Sequence, residues 1–293
     1  MTDDKDKVTF ILPLGKRLLL FLCATVFCFL LANIFNSVLI YFKGVTPAVM
    51  RISTVIQDVI AFVLPAVLTA VLITRLPARF LCIDKGPRFV ALVKSCLVLV
   101  VSIPAMNAIV VWNESIALPE SLAGIERWMT EHEESAKAMI EMVLGGKGVG
   151  TLILSIAIVG VLAGLSEEIF FRGTFQRLLS TGGLNIHAAI WIVAFIFSAS
   201  HLQFYGFFGR LLLGAYFGYL MYWTKCLWVP VITHIINNTL YIVSQYAVGQ
   251  DASGVDFNTV GTGNVWLIIL SVILTAIGIM SLSGKSLVRC KGR

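Results

Sequence analysis

Residues 149–172 read VGTLILSIAIVGVLAGLSEEIFFR. The first 17 positions carry no charge, which is the composition of a helix surrounded by hydrocarbon. Two adjacent glutamates, Glu167 and Glu168, and Arg172 then follow inside or at the edge of the same apolar run. An ionisable group within a bilayer costs several kcal/mol, so such a cluster in such a segment is a functional candidate by default.

The remainder of the chain supports the membrane reading. Hydrophobic residues make up 58% of 293 positions, charged residues 13%, and mean hydropathy is +0.91, whereas soluble domains carry about 25% charged residues. A spanning helix needs about 20 apolar residues. Eight runs approach this length: 18–42, 52–74, 89–112, 149–172, 187–203, 207–224, 227–247 and 264–282. The first is too long for a cleaved leader and reads as a permanent span. The fold expected is all-α and integral to the membrane, with about eight transmembrane helices. It divides into 1–147 (three spans and an acidic connector), 148–250 (a helical core) and 251–293 (a last span and a basic tail).

Placing both termini in the cytoplasm assigns 15 basic residues to that side. They are Lys5, Lys7, Lys16, Arg17, Arg75, Arg79, Lys85, Arg88, Arg172, Arg177, Lys225, Lys285, Arg289, Lys291 and Arg293. Only five, Lys43, Arg51, Arg127, Lys137 and Lys147, fall on the other side. This asymmetry orients the protein, and the net charge of +6 matches anionic lipid and gives no sign of nucleic acid. With short termini and no organellar transit peptide, the expected location is a bacterial inner membrane. Between spans three and four, seven glutamates lie among Ile125, Trp128, Met129, Ala136, Met139, Ile140 and Val143 at helical spacing. One or two amphipathic helices at the outer surface are expected there, reading as a solvated connector or, alternatively, a lid. The six cysteines match no zinc ribbon or disulfide framework. Cys290 precedes Lys-Gly-Arg rather than the aliphatic residues of a prenylation box. Gly160/Gly164 and Gly214/Gly218 are four apart inside spans, a spacing that lets helices approach closely.

Three polar clusters sit where apolar residues belong: Ser166-Glu167-Glu168 with Arg172, Phe197 with His201, and His234 with Asn238. Glu168 and Arg172 share a helix face and can pair, leaving Glu167 free to act as a general acid or base. His234 and Asn238 also share a face and could present an imidazole and an amide to one oxyanion. His201 could hold a water against Glu167. At about 1.5 Å per residue, Glu167 lies about 15 Å inward from Arg177, and His234 and Asn238 about 10 to 17 Å inward from Leu227. His201 matches that depth only if span five starts near Ile190 and the chain turns back within the membrane near 203–209, where a protein or water-lined cavity must surround it.

This ordered trio, Glu-Glu-x-x-x-Arg, Phe-x-x-x-His and His-x-x-x-Asn, resembles the signature of the CPBP family, which comprises type II CAAX prenyl proteases and bacteriocin-processing or self-immunity proteins of the abortive-infection group. The likeness covers about residues 150 to 245. It implies a helical intramembrane endopeptidase in which Glu167 and His201 activate water, His234 and Asn238 bind the oxyanion, and Glu168 and Arg172 support them. The substrate would be a membrane-associated peptide or protein, such as a prenylated chain or a leader peptide. No cofactor is required on this reading. A zinc ion held by Glu167, His201 and His234 is the alternative, although no His-Glu-x-x-His occurs. The competing functions are a non-catalytic scaffold or immunity factor, structural bonding between helices, and a proton-coupled transporter. Among isolated polar residues, Asp58 reads as an interhelical contact, Lys94 as a snorkelling side chain and His187 as interfacial. Arg210 reads as either a substrate contact or an interfacial residue. Trp112, Trp228 and Trp266 fall at span ends.

Overall fold

The computed structural model describes residues 8–146, 148–249 and 259–284. Lys5, Lys7, Lys147, Lys285, Arg289, Cys290, Lys291 and Arg293 lie outside them. The described chain is helical, with a single isolated bridge between Phe10 and Thr74 in place of any strand. The helices are α1 (Leu14–Lys43), α2 (Pro47–Ile73), α3 (Phe89–Glu114), α4 (Ala123–Leu144), α5 (Val149–Thr181), α6 (Ile186–Ala199), α7 (Phe207–Thr224), α8 (Trp228–Gly249) and α9 (Val265–Ser283).

Five of these, α1, α2, α3, α5 and α9, are long and apolar enough to cross a bilayer. On α1 and α9 large side chains such as Leu22, Phe27, Ile34, Leu270, Ile273 and Met280 point away from the protein and are at least 49% exposed. An apolar surface of that extent is tolerated in lipid and not in water. The protein is thus an all-α integral membrane protein. Helices fill the other three expected spans too, but Thr233, His234, Asn237 and Asn238 dilute the hydropathy of α8, and α6 has only 14 residues, about 21 Å.

That short α6 corrects the 187–203 boundary. It begins at Ile186, where Asn185 caps it by accepting from the His187 and Ala188 amides, and it ends well short of the roughly 30 Å hydrocarbon thickness. The chain reverses through Ser200–Gly206 and descends as α7. The span expected to end at Arg172 instead continues to Thr181. Arg172 is completely buried inside α5, so it contributes nothing to the charge that orients the protein.

Helix α5 is central. Its Gly160 and Gly164 admit α8: a Cβ on Gly164 would meet Ile235 at 3.2 Å. Gly218 of α7 does the same toward α5 and α6, since a Cβ there would fall 2.9 Å from both Gln176 Oε1 and Ile190 Cγ2. Gln176 also donates to the Gly218 carbonyl at 3.1 Å, so the close approach is hydrogen-bonded as well as packed. A cluster of Phe21, Phe170, Phe171, Leu178, Val193 and Phe197 joins α1, α2, α5 and α6. Lys94, rather than snorkelling free, donates to Ser281 Oγ at 2.6 Å and ties α3 to α9.

The acidic connector forms one helix, α4, preceded by a single turn over Glu120–Leu122. Ile125, Trp128 and Met139 are exposed, whereas Glu133 and Val143 are buried. Arg51 of α2 holds its C-terminal end, donating from Nε to the Val143 carbonyl at 2.9 Å and from Nη2 to the Gly145 carbonyl at 2.7 Å. A cation on the last carbonyls of a helix satisfies acceptors that lack intrahelical donors and offsets the helix dipole.

Candidate active site

Glu167 and Glu168 end a regular helical segment of α5, and a π-helical stretch, Ile169–Phe175, begins immediately after them. A second wide stretch, Ile156–Leu162, lies one turn before, and a third, Gln57–Val63, lies in α2. Wide turns leave carbonyls off the regular ladder and recur at functional sites. Here the Val159 carbonyl, inside one of them, accepts from Asn238 Nδ2 at 3.1 Å.

At the centre is a fully buried carboxylate. Glu168 Oε1 accepts from Arg172 Nη1 at 2.5 Å and from His234 Nδ1 at 2.9 Å. The first bond is the pair expected from the spacing, and the second, which joins α5 to α8, is not predictable from spacing. Arg172 Nη2 donates to the Gly214 carbonyl at 2.9 Å, and its guanidinium lies 4.6 Å from the Phe197 ring centre and 5.4 Å from that of Phe217. The two terminal nitrogens of this buried guanidinium thus bond α5 and α7, and its face meets rings of α6 and α7, which ties these helices together.

Because His234 donates from Nδ1, its Nε2 points the other way, 3.8 Å from Glu167 Oε2. Phe217 stacks on the ring at 4.7 Å, holding the imidazole plane. His201 stands just past the end of α6, its Nδ1 donating to the Phe197 carbonyl at 2.8 Å. Its other ring nitrogen carries no hydrogen bond, and its charge couples to those of Glu167 and His234. Phe197 therefore does more than fill the core. Its ring centre is 5.0 Å from that of His201 and 6.1 Å from that of His234, so it spaces the two imidazoles. Asn238 Oδ1 accepts from Asn237 Nδ2 at 3.4 Å, which with the Val159 contact orients its amide.

The structure thus gathers Glu167, Glu168, Arg172, His201, His234 and Asn238 in one place. A reversal follows α6 as His201 required, over Ser200–Gly206 rather than 203–209 and after a helix that starts at Ile186 rather than near Ile190. Two further carboxylates are buried: Asp58, which the sequence marks as an interhelical contact and which does meet Ser166 of α5, and Glu133, whose burial the sequence does not show. Asp58 is 5% exposed on the wide turn of α2, beside Ser166 and within electrostatic reach of Glu167. Glu133 of α4 is 7% exposed. Its buried environment has no sequence signal, because it sits among exposed glutamates of the same helix.

Arg210 bends back over the reversal, donating to the Gln203 backbone carbonyl and side chain. Gly206 makes that possible, since a Cβ there would lie 2.6 Å from Arg210 Nη1. Among the described residues no three His, Cys, Asp or Glu side chains converge closely enough to hold a metal ion. The set Glu167, His201 and His234 is not closed around a common point, and no step is derived through zinc.

Residues 149–240, under half of the chain, match the family model described as Type II CAAX prenyl endopeptidase Rce1-like. The match runs from the start of α5 to the middle of α8 and takes in all six residues of the cluster. No curated protein and no solved structure gives a match.

Proposed function

We propose that this chain is an intramembrane endopeptidase that hydrolyses a peptide bond of a membrane-associated peptide or protein. One observation carries the reading. Bonding between helices accounts for Glu168, Arg172 and His234, which are buried and joined to one another through Glu168 Oε1. It leaves Glu167 unexplained. Glu167 has a side chain 16% exposed, lies 3.8 Å from Nε2 of His234 and is within electrostatic reach of His201. A carboxylate and two imidazoles held this way, with places left for water, are suited to proton transfer.

In the mechanism, Glu167 and His201 hold a water. As it attacks the carbonyl carbon, Glu167 takes its proton. The carbonyl oxygen becomes an oxyanion, which receives hydrogen bonds from the doubly protonated ring of His234 through Nε2 and from the second N–H of Asn238. Arg172, Glu168, an imidazolium at His234 and an ionised Glu167 sum to zero charge, which a low-dielectric site requires. Collapse of the tetrahedral intermediate breaks the C–N bond, and Glu167 returns its proton to the leaving amine. No step calls for a metal. The similarity to prenyl endopeptidases makes a dye-quenched, prenylated CAAX peptide the first substrate to try. We place both termini on the cytoplasmic side from the loop charges.

Glu167→Gln, purified and reconstituted, should keep its helicity and monodispersity while losing cleavage by at least about a hundredfold. The wild type should remain active with a chelator present. Cleavage by Glu167→Gln at the wild-type rate would leave a scaffold or immunity factor as the surviving alternative.

A further inference from the structure

A peptide bond can be hydrolysed in a membrane only after the segment around it has unwound. An unwound segment exposes main-chain N–H and C=O groups, each of which costs several kcal/mol unless paired. Soluble peptidases commonly meet this need by adding the substrate to a sheet edge. Among the described residues here there is no strand to receive it, so side chains have to supply the partners.

Two such partners face each other where α4 crosses the reversal that carries His201. Glu133 is 7% exposed and its Oε2 has no hydrogen-bond partner. Arg210, at the start of α7, uses both terminal nitrogens on Gln203, while its buried Nε has none. Their charges couple to each other, and that of Arg210 couples to His201, yet no ion pair joins Glu133 and Arg210. A buried acceptor on α4 and a buried donor of opposite charge at the reversal α4 packs on, within electrostatic reach of each other and both unpaired, are a costly arrangement, and a ligand bearing one donor and one acceptor relieves it.

The surroundings are built to keep it so. Thr130 and Tyr205 share a hydrogen bond at 2.9 Å, Trp128 packs on Phe204 at 5.2 Å, and Asn113 bonds the Phe204 carbonyl and the Phe208 amide at 3.1 Å each. Arg51 holds the other end of α4. A hollow of about 200 Å³ opens beside the same turn, between Met129, Asn113, Tyr205 and Phe208.

We propose that Glu133 and Arg210 form a main-chain clamp for the substrate: a backbone N–H of the unwound peptide donates to Glu133 Oε2, and a neighbouring carbonyl accepts from Arg210 Nε. The inference rests on the peptidase reading but makes its own demand, that affinity depends on one particular N–H of the peptide. Both are positioning residues, and α4 becomes part of the substrate site.

The test measures binding without cleavage. In the Glu167→Gln background, reconstituted in nanodiscs, affinity for a fluorescent prenylated CAAX peptide is read by anisotropy. A series of peptides in which single amides are replaced by esters removes one N–H at a time. Glu133→Ala should weaken the all-amide peptide about tenfold or more, whereas Glu133→Gln, which keeps an acceptor, should weaken it less. At one ester position Glu133→Ala should have no further effect. In the cleavage-competent protein the same change should appear in KM and not in kcat. Equal loss for amide and every ester peptide, a loss confined to kcat, no loss, or no binding at all overturns the clamp. Binding by Glu167→Gln of a peptide that the wild type never cleaves would overturn the proposed activity and leave the clamp standing.

Discussion

Removing Arg172 and Glu168 together should destabilise this protein by clearly less than the sum of removing each alone. Both side chains are 0% exposed, and they meet at 2.5 Å. Arg172→Met keeps most of the volume and deletes the charge, leaving Glu168 buried with only His234 as partner. Breaking a buried pair from one side costs about 3–5 kcal/mol, because the survivor is an uncompensated charge. Glu168→Gln leaves Arg172 in the converse position at a similar cost. In the double variant neither charge remains. Its penalty then reduces to the lost Gly214 hydrogen bond at 2.9 Å and the weakened hold on His234, about 1–3 kcal/mol each. The two singles summed should therefore exceed the double by about 3 kcal/mol or more. Unfolding of the four proteins by denaturant in mixed micelles, followed by tryptophan fluorescence, measures the cycle. Singles that sum to the double within about 0.5 kcal/mol would mean the sites are independent, and the argument that this pair organises the core would be wrong.

Gly218→Leu should destabilise the same unfolding transition by about 1–3 kcal/mol through overpacking, since even a Cβ falls 2.9 Å from Ile190 and Gln176. An unchanged midpoint would show that α7 can yield. Asn238→Ala should lower kcat by about a hundredfold to a thousandfold on the dye-quenched peptide with little change in KM, as expected for a lost oxyanion donor. A change in KM alone would place the amide in substrate binding instead.

The sequence by itself determined the solvent, the helical class and the identity of the central residues. Apolar runs of bilayer length cannot fold otherwise, because lipid satisfies no backbone group. Charged residues inside such runs are conspicuous for the same reason. It also determined the Glu168–Arg172 pair, because four residues is a distance along one helix. It could not assign partners between helices. Nothing in the spacing says that His234 takes Glu168 rather than Glu167, or that Phe197 separates two imidazoles. The apolar run carried α6 to 203 and the expected reversal to 203–209, whereas the helix stops at Ala199 and the chain turns over Ser200–Gly206, held there by Trp128 of α4 and by Asn113. Amphipathicity predicted a surface helix at α4 but not which of its glutamates is buried; the fold buries Glu133 and leaves Trp128 and Met139 exposed. In water, apolar periodicity marks the buried face; at a membrane surface the apolar side also finds a home in lipid. The side facing the protein is then chosen by what waits there, which at this position is Arg210.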